Sequence, residues 1–219
     1  MRVFFKILLA VLLLPAFVSA QSNYKPGYVV TVKGDTLKGF INHKGWDLNP
    51  RAIKFKKTLK DEAIKLSVGD IVSFSVGKVA RYQRYIGPIS MDNVSEDHMI
   101  QFRDTSYRVD TVFLEVLQKG KNIALYAYSD AIKSRFFIGE NPDYTPLELV
   151  YRLYYDVDHA DFETQKGRTV NENIYMKQLF ALAIKYNADS PALMRELNYY
   201  GYKDYYLVQV VKMINEGSK

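Results

Sequence analysis

Carboxylates, imidazoles and clustered phenols are the groups in this chain that could do chemistry, and their spacing decides which chemistry. The run Asp156-Val157-Asp158-His159-Ala160-Asp161-Phe162-Glu163 is the densest set of potential ligands, and closely spaced carboxylates suit a hard cation such as calcium. Counted from Asp156, an EF-hand loop needs Gly at its sixth position and Glu at its twelfth, where this chain has Asp161 and Gly167. A solvated loop is the expectation there. The histidines, His43, His98 and His159, are scattered, with no HxxxH or HExxH spacing to set two of them on one helix face for zinc. No GxSxG elbow presents a serine, and the chain has no cysteine to serve as thiol nucleophile, zinc thiolate or disulfide partner. No catalytic, cofactor-binding or metal-binding residue is assigned, and no cofactor is called for.

Two other groups suit contact rather than catalysis. In Arg51-Ala52-Ile53-Lys54-Phe55-Lys56-Lys57 the alternation places Lys54 and Lys56 on one face of a strand and Ile53 and Phe55 on the other. That makes either a small anion-binding face or the solvent side, or lysine-protected edge, of an antiparallel sheet. Near the C-terminus Tyr199, Tyr200, Tyr202, Tyr205 and Tyr206 crowd into eight residues. Tyrosine offers a large contact area at low entropic cost, so this cluster is a candidate for stacking on sugars or anchoring a partner, against the plainer reading of a helix corner closed over the core.

The elements that must position these groups follow from periodicity. From Tyr28 to about Ile138 short alternating runs are separated by turn residues, the period-two pattern of antiparallel strands. In YVVTVKGDTLKGFI, Tyr28, Val30 and Val32 share one face and Leu37, Gly39 and Ile41 continue it on the returning strand, with Gly34-Asp35 as a two-residue turn. Further strands are expected at 52–57, 71–76, 79–86, 111–117, 123–128 and 132–138, with Lys119-Gly120-Lys121-Asn122 as a second hairpin turn. The polar stretch 90–110 reads as a loop or edge strand. In YTPLELVYRLYYDV, Thr145-Pro146-Leu147-Glu148 has capping-box spacing, and Glu148 and Arg152 are a helical turn apart. Against this, Leu147, Leu149, Tyr151, Leu153 and Tyr155 alternate in a segment rich in strand formers, and strand is chosen.

Beyond Asn171 the period becomes helical. Tyr175, Leu179, Leu182 and Tyr186 form one stripe; Leu193, Leu197 and Tyr200 form another, with Ser190 as N-cap, Pro191 in the first turn and Gly201 just past the end; Leu207, Val210, Val211 and Ile214 form a third, starting near Asp204. Helices this short are unstable singly and must pack on one another or on the sheet. The fold class is α+β: an antiparallel β-rich region (sheet, roll or partly open barrel) over 21–156, a loop at 157–170, and a small three-helix region at 171–216 packed on the same domain.

The first twenty residues, MRVFFKILLAVLLLPAFVSA, read as an export signal. Arg2 and Lys6 precede an apolar run, and Val18-Ser19-Ala20 before Gln21 supplies the small residues of a cleavage site, placing the cut between Ala20 and Gln21. About twelve apolar residues fall short of the roughly twenty that span a bilayer, so no transmembrane segment is expected once the signal is removed. The rest, with 48% hydrophobic and 25% charged residues, is ordinary for a globular protein, while 18 Tyr favour half-buried sheet surfaces. The net charge of +6 includes Arg2 and Lys6, and the remaining excess is too dispersed for a nucleic-acid partner.

YKPGYVVTVKGDTLKGFI, NPRAIKFK, DTVFLEVLQKGKNIALYAY, Phe136 to Ile138 and YMKQLFAL at Tyr175 to Leu182 together resemble an uncharacterised exported protein family of Bacteroidota, over most of the mature chain. In that family the domain is often followed by an outer-membrane β-barrel, and the resemblance implies a stand-alone form here. Some members carry cysteines near the C-terminal helices, a feature this chain lacks, and the family has no assigned activity. Asp35-Thr36-Leu37 and Asp110-Thr111-Val112 also fit a short Asp-Thr-apolar pattern for O-glycosylation in such exported proteins, which requires an exposed hydroxyl. The expectation is a periplasmic or outer-membrane-associated envelope protein acting as a non-enzymatic binding module for a protein or glycan. The alternatives are an envelope hydrolase assembled from His43, Asp35 or the 156–163 carboxylates, and an accessory to a separately encoded barrel.

Overall fold

A computed structural model describes residues 23–157, 167–199 and 201–217. The signal segment with Ala20 and Gln21, His159, the carboxylates at 158–163 and Tyr200 lie outside the described residues. Among the described residues twelve strands are followed by three α-helices: β1 (Tyr24–Thr31), β2 (Thr36–Asn42), β3 (Ala52–Lys56), β4 (Ile64–Ser67), β5 (Ile71–Val76), β6 (Ala80–Ser90), β7 (Tyr107–Lys119), β8 (Ile123–Ser129), β9 (Ser134–Glu140), β10 (Leu147–Leu149), β11 (Arg152–Asp156), β12 (Arg168–Glu172), α1 (Ile174–Lys185), α2 (Pro191–Tyr199) and α3 (Asp204–Glu216). Ten strands form one open antiparallel sheet in the order β10-β9-β8-β7-β6-β5-β1-β2-β3-β4, and β11 pairs with β12 separately. The α+β class, strands first and helices last, is as expected.

The order contains one jump, from β4 at the edge back to β5 beside β1. Four strand spacings across a flat sheet are about 19 Å, yet only Val68, Gly69 and Asp70 separate Ser67 from Ile71, a reach of about 14 Å at most. The first five strands must therefore curl. Val32 N donates to Asp70 O (3.0 Å), fixing the link beside the end of β1. Inside this first roll lie Val29, Ile41, Ile53, Phe55, Ile71, Phe74 and Val76, joined by Tyr82 and Phe113. Phe74 stacks on Tyr82 at 4.7 Å and meets Phe113 edge-on at 5.1 Å.

The second half curls the other way. Cross-strand partners share a face, so Val29, Phe74 and Tyr82 mark the concave side of the first roll. That same side continues through Glu115, Ala127, Phe136 and Leu149, where the helices cover it: Leu125, Phe136 and Leu149 pack with Tyr175, Leu179, Leu193, Leu207 and Val211. The opposite side carries Tyr85, Val112, Leu114, Tyr126 and Phe137, also buried. It is closed by the long β6–β7 arm, which leaves β8 beyond the Glu115–Ala127 pair and folds over β9 and β10. Arg135 Nε on β9 donates to Ser90 O (2.7 Å), and Ser90 N donates to Glu148 Oε2 on β10 (3.1 Å). Where β7 and β8 part, Asn49 fills the gap: its Nδ2 donates to Phe113 O (2.8 Å) and Ala127 O (3.1 Å), and its Oδ1 accepts from Ser129 N (2.9 Å).

Several local expectations need correction. The β1–β2 connection is four residues, Val32-Lys33-Gly34-Asp35, with Gly34 N donating to Thr31 O, Thr31 N donating to Asp35 O and Gly34 at φ 92°; a left-handed third residue matches strand twist better than a two-residue turn beginning at Gly34. The buried face of β1 carries Val29, while Tyr28 and Val30 are half-buried and Val32 is exposed. Alternation gives the period and leaves open which phase faces the core. Segment 145–156 is strand, but broken at Val150-Tyr151 into β10 and β11, which belong to different sheets. Strand β12 begins at Arg168 within the expected 157–170 loop. The 90–110 stretch contributes Tyr107 to Asp110 to β7 and a 3-10 turn at Glu96–His98. The helical stripes fall as read, with Tyr175, Leu179, Leu182, Leu193, Leu197, Leu207, Val210, Val211 and Ile214 all buried.

The helices are tied down by polar contacts that periodicity does not announce. Asn215 is buried in α3; its Oδ1 accepts from Asn122 N (2.9 Å) and Ile123 N (3.0 Å), and its Nδ2 donates to Ile123 O (3.1 Å) and Val211 O (2.9 Å). That satisfies a buried amide almost completely and fixes α3 to the start of β8.

Candidate functional site

The C-terminal tyrosines separate by helical phase. In α3 the buried Leu207, Val210, Val211 and Ile214 turn Tyr205, Gln209 and Lys212 outward, and in α2 the buried Leu193 and Leu197 turn Arg195 and Tyr199 outward. Helix α2 starts where expected, with Ser190 Oγ accepting from Leu193 N (3.2 Å). Tyr199 is 80% and Tyr205 66% exposed, while Tyr206 is half-buried and meets Tyr205 edge-on at 5.2 Å. Glu196 of α2 and Tyr205, Tyr206, Lys212 and Met213 of α3 line an open groove of about 520 Å³. A neighbouring hollow of about 490 Å³ runs past Met194, Glu196 and Tyr199.

Tyr202 belongs with the core rather than with this face. Its hydroxyl donates to Leu149 O (2.7 Å) and accepts from Phe136 N (2.9 Å), and its ring packs on Phe136, Tyr151 and Tyr175. Burial raises the phenol well above its ordinary pKa, so it stays a neutral donor bridging β9 and β10.

The lysine candidates sit on the outer side of the first roll. Lys54 is exposed directly opposite Lys65 of β4, and Lys56 lies over the Tyr24 ring at 4.9 Å. Strand β3 is interior to the sheet and β4 forms the edge. Ile53 and Phe55 face inward as expected.

Among the described residues, the proposed hydrolase residues Asp35 and His43 do not come together. Asp35 and His43 flank the two ends of β2, roughly 25 Å apart at the rise of a strand. His43 meets Trp46 edge-on at 4.6 Å, and its Nδ1 lies 3.5 Å from Lys25 Nζ. Burial and then the Lys25 charge hold the imidazole below its ordinary value. The described residues contain no group of three or more His, Asp or Glu placed to hold a metal. Of the two Asp-Thr positions, Thr36 is exposed and Thr111 half-buried.

A second concavity, unsuspected from the sequence, opens where the β6–β7 arm meets β10 and β11. This cleft of about 480 Å³ is walled by Tyr85, Ser90, Asp92, Tyr107, Glu148, Tyr151 and Arg152 among others. Charges are buried behind it. Lys133 Nζ and Asp92 Oδ1 pair at 2.8 Å with side chains only 4% and 2% exposed. Arg135, fully buried, bonds Asp130 Oδ1 (3.0 Å) and Lys133 O (3.0 Å). Burial works against the charged form of Asp130, but hydrogen bonds from Arg135 and the Ile132 and Lys133 amides outweigh it and hold the carboxyl below its ordinary range. Ser90 Oγ bonds Glu148. Arg152 Nη1 donates to Glu172 Oε2 (3.0 Å), and Arg103 bonds the other oxygen at 2.8 Å. At Glu172 burial opposes the charged form, and the two guanidiniums prevail and lower the pKa.

Asp92 lies in the polar 90–110 stretch, and Lys133, just ahead of β9, and Arg135 within it fall in an alternating run where cations read as solvent-facing. A signal existed in β9 only in hindsight: SRFFIGE holds buried residues on both faces from Arg135 to Gly139. No family model, no curated protein and no solved structure matches the chain.

Proposed function

We propose that this chain is an exported, non-enzymatic binding protein of the cell envelope, periplasmic or associated with the outer membrane, whose contact surface is the outer face of α2 and α3. The observation that carries this reading is the pair Tyr199 and Tyr205, 80% and 66% exposed, Tyr205 on the groove and Tyr199 on the hollow beside it, on helices whose inner faces are fixed by a packed core. Large aromatics left on a rigid scaffold are the residues that dominate contact energy when a partner desolvates them. Glu196 and Lys212 on the same groove supply a polar rim. The leader sequence supports export, and the family resemblance supports an envelope setting. Among the described residues no helix is long and apolar enough to cross a membrane.

The test is capture from native envelope fractions with the partner identified by mass spectrometry. Tyr199→Ala with Tyr205→Ala should abolish capture while leaving the circular-dichroism spectrum and melting temperature nearly unchanged. Capture that survives the double variant removes the helical face from the proposal, and recovery of a barrel protein selects the accessory form of it. N-terminal analysis of the exported product should begin at Gln21. Turnover of an envelope-derived substrate by the purified protein would defeat the non-enzymatic reading.

A further inference from the structure

We propose that the cleft between the β6–β7 arm and β10–β11 binds a neutral saccharide, using Asp92 and Arg152 for its hydroxyls and the Tyr107 and Tyr151 rings for its apolar faces. The site is separate from the helical face and does not rest on it.

Buried polar atoms in folded proteins are nearly always hydrogen-bonded, so clustered exceptions call for a cause. Four buried side-chain atoms among the described residues lack a protein partner: Asn42 Oδ1, Asp92 Oδ2, Arg135 Nη2 and Arg152 Nε. Asp92 and Arg152 both line this cleft, and Arg135 lies directly behind it through Ser90 O. Asp92 is 2% exposed and already gives Oδ1 to Lys133, so Oδ2 is an acceptor held in place by its neighbour's ion pair. Arg152 is likewise oriented by Glu172, leaving Nε as a donor.

Asp92 therefore offers an acceptor and Arg152 a donor, each just beneath the lining of the cleft, and the ligand must answer both. An ammonium would satisfy Asp92 and set a like charge against Arg152; a carboxylate would do the reverse. Hydroxyl groups donate and accept at once, so a molecule with hydroxyls on a compact frame fits without unpaired charge. The remaining lining is mostly apolar and aromatic, with the hydroxyls of Ser90, Thr105 and Ser106 and a Glu148 carboxylate already bonded by Ser90 among it. Tyr107, Val109 and Leu147 are 67%, 67% and 64% exposed, an unusual concentration of exposed apolar side chains at one site. Tyr85 and Tyr151 complete the walls. Flat rings beside fixed polar groups match a sugar, whose ring presents apolar C–H faces and polar edges. The volume lies in the range of small-ligand sites.

The test is an NMR titration of the full exported protein with maltose, cellobiose and chitobiose, alongside hexylammonium and hexanoate as charged probes. At least one disaccharide should shift, saturably, the amides of residues 90–92, 107 and 148–152. Tyr107→Ala, at an exposed position, should weaken that binding at least tenfold with the fold intact. Asp92→Asn, which keeps an acceptor for Lys133, should weaken it comparably. Tyr199→Ala with Tyr205→Ala should leave it unchanged, so failure of the helical-face reading and failure of this one are distinguishable. The proposal is overturned if none of the three disaccharides shifts these amides, if only hexylammonium or hexanoate does, or if Tyr107→Ala binds as tightly as the unaltered protein.

Discussion

The two rolls of the sheet solve the same closure problem with different interiors. The first encloses Val29, Ile41, Ile53, Phe55, Ile71, Phe74 and Val76, an aromatic and aliphatic interior. The second encloses an apolar set of similar size but closes on ions: Lys133 with Asp92, Arg135 with Asp130, Glu148 with Ser90. Buried ion pairs return little net stability for their desolvation, so the second interior is better understood as holding polar atoms in fixed directions around the cleft.

Sharp tests of that contrast differ in size. Phe74→Ala should destabilise by about 3–5 kcal/mol in denaturant unfolding, since a fully buried ring at the centre of the first roll leaves a cavity. Lys133→Met should cost a similar amount, about 3–5 kcal/mol, by leaving the Asp92 carboxylate buried and unpaired. The two losses have different remedies. Lys133→Met combined with Asp92→Leu should recover most of the stability, because the charge that made the single change costly is gone; a double variant as unstable as the single would make the pair a true stabiliser and erase the contrast. Gly34→Val, at a turn where no atom crowds the position, should cost about 1 kcal/mol or more through backbone strain alone. An unchanged midpoint would mean the first roll does not depend on its turn.

The smallest effect is at His43. Its folded pKa lies below the ordinary 6.5, so the neutral ring's contribution is complete above about pH 6.5 and is lost as pH falls through the folded value. An NMR titration should place the His43 midpoint below 6.5, and Lys25→Gln should move it upward. A midpoint at or above 6.5 would put His43 in open solvent.

Strand positions and helical stripes were legible because each rests on a local period. Strands β3, β5 and β8 and the three helices lie within a few residues of their expected bounds. Curvature was not legible, because alternation assumes one buried face. In β7, Val112, Phe113 and Leu114 are all buried in succession, Phe113 in the first roll's interior and its two neighbours in the second's, and in β8 the run from Ile123 to Tyr128 is buried throughout, with helices on one side and the arm on the other. Strand β4, IKLS, is only four residues long with a single charge, and offers no pattern by itself. The proposed contact face was partly legible: aromatic crowding pointed to Tyr199 and Tyr205, while only the tertiary fold could draw Tyr202 inward. The cleft was illegible because its polar groups come from the β6–β7 arm, β10 and β11, with Lys133 behind them, and become informative only when desolvated together.

Asn49 has a consequence for how the molecule comes apart. It belongs to the β2–β3 connection, yet its side chain and its own amide bond the backbones of β7 and β8 at Phe113, Ala127 and Ser129. A side chain rooted in one roll thus stands in for the missing rungs of the other, and neither can loosen at that seam without exposing carbonyls in both. The two interiors should then melt as one cooperative unit despite their different composition. The Ser129 amide, though near the end of its strand, should exchange with solvent as slowly as amides at the centre of the first roll.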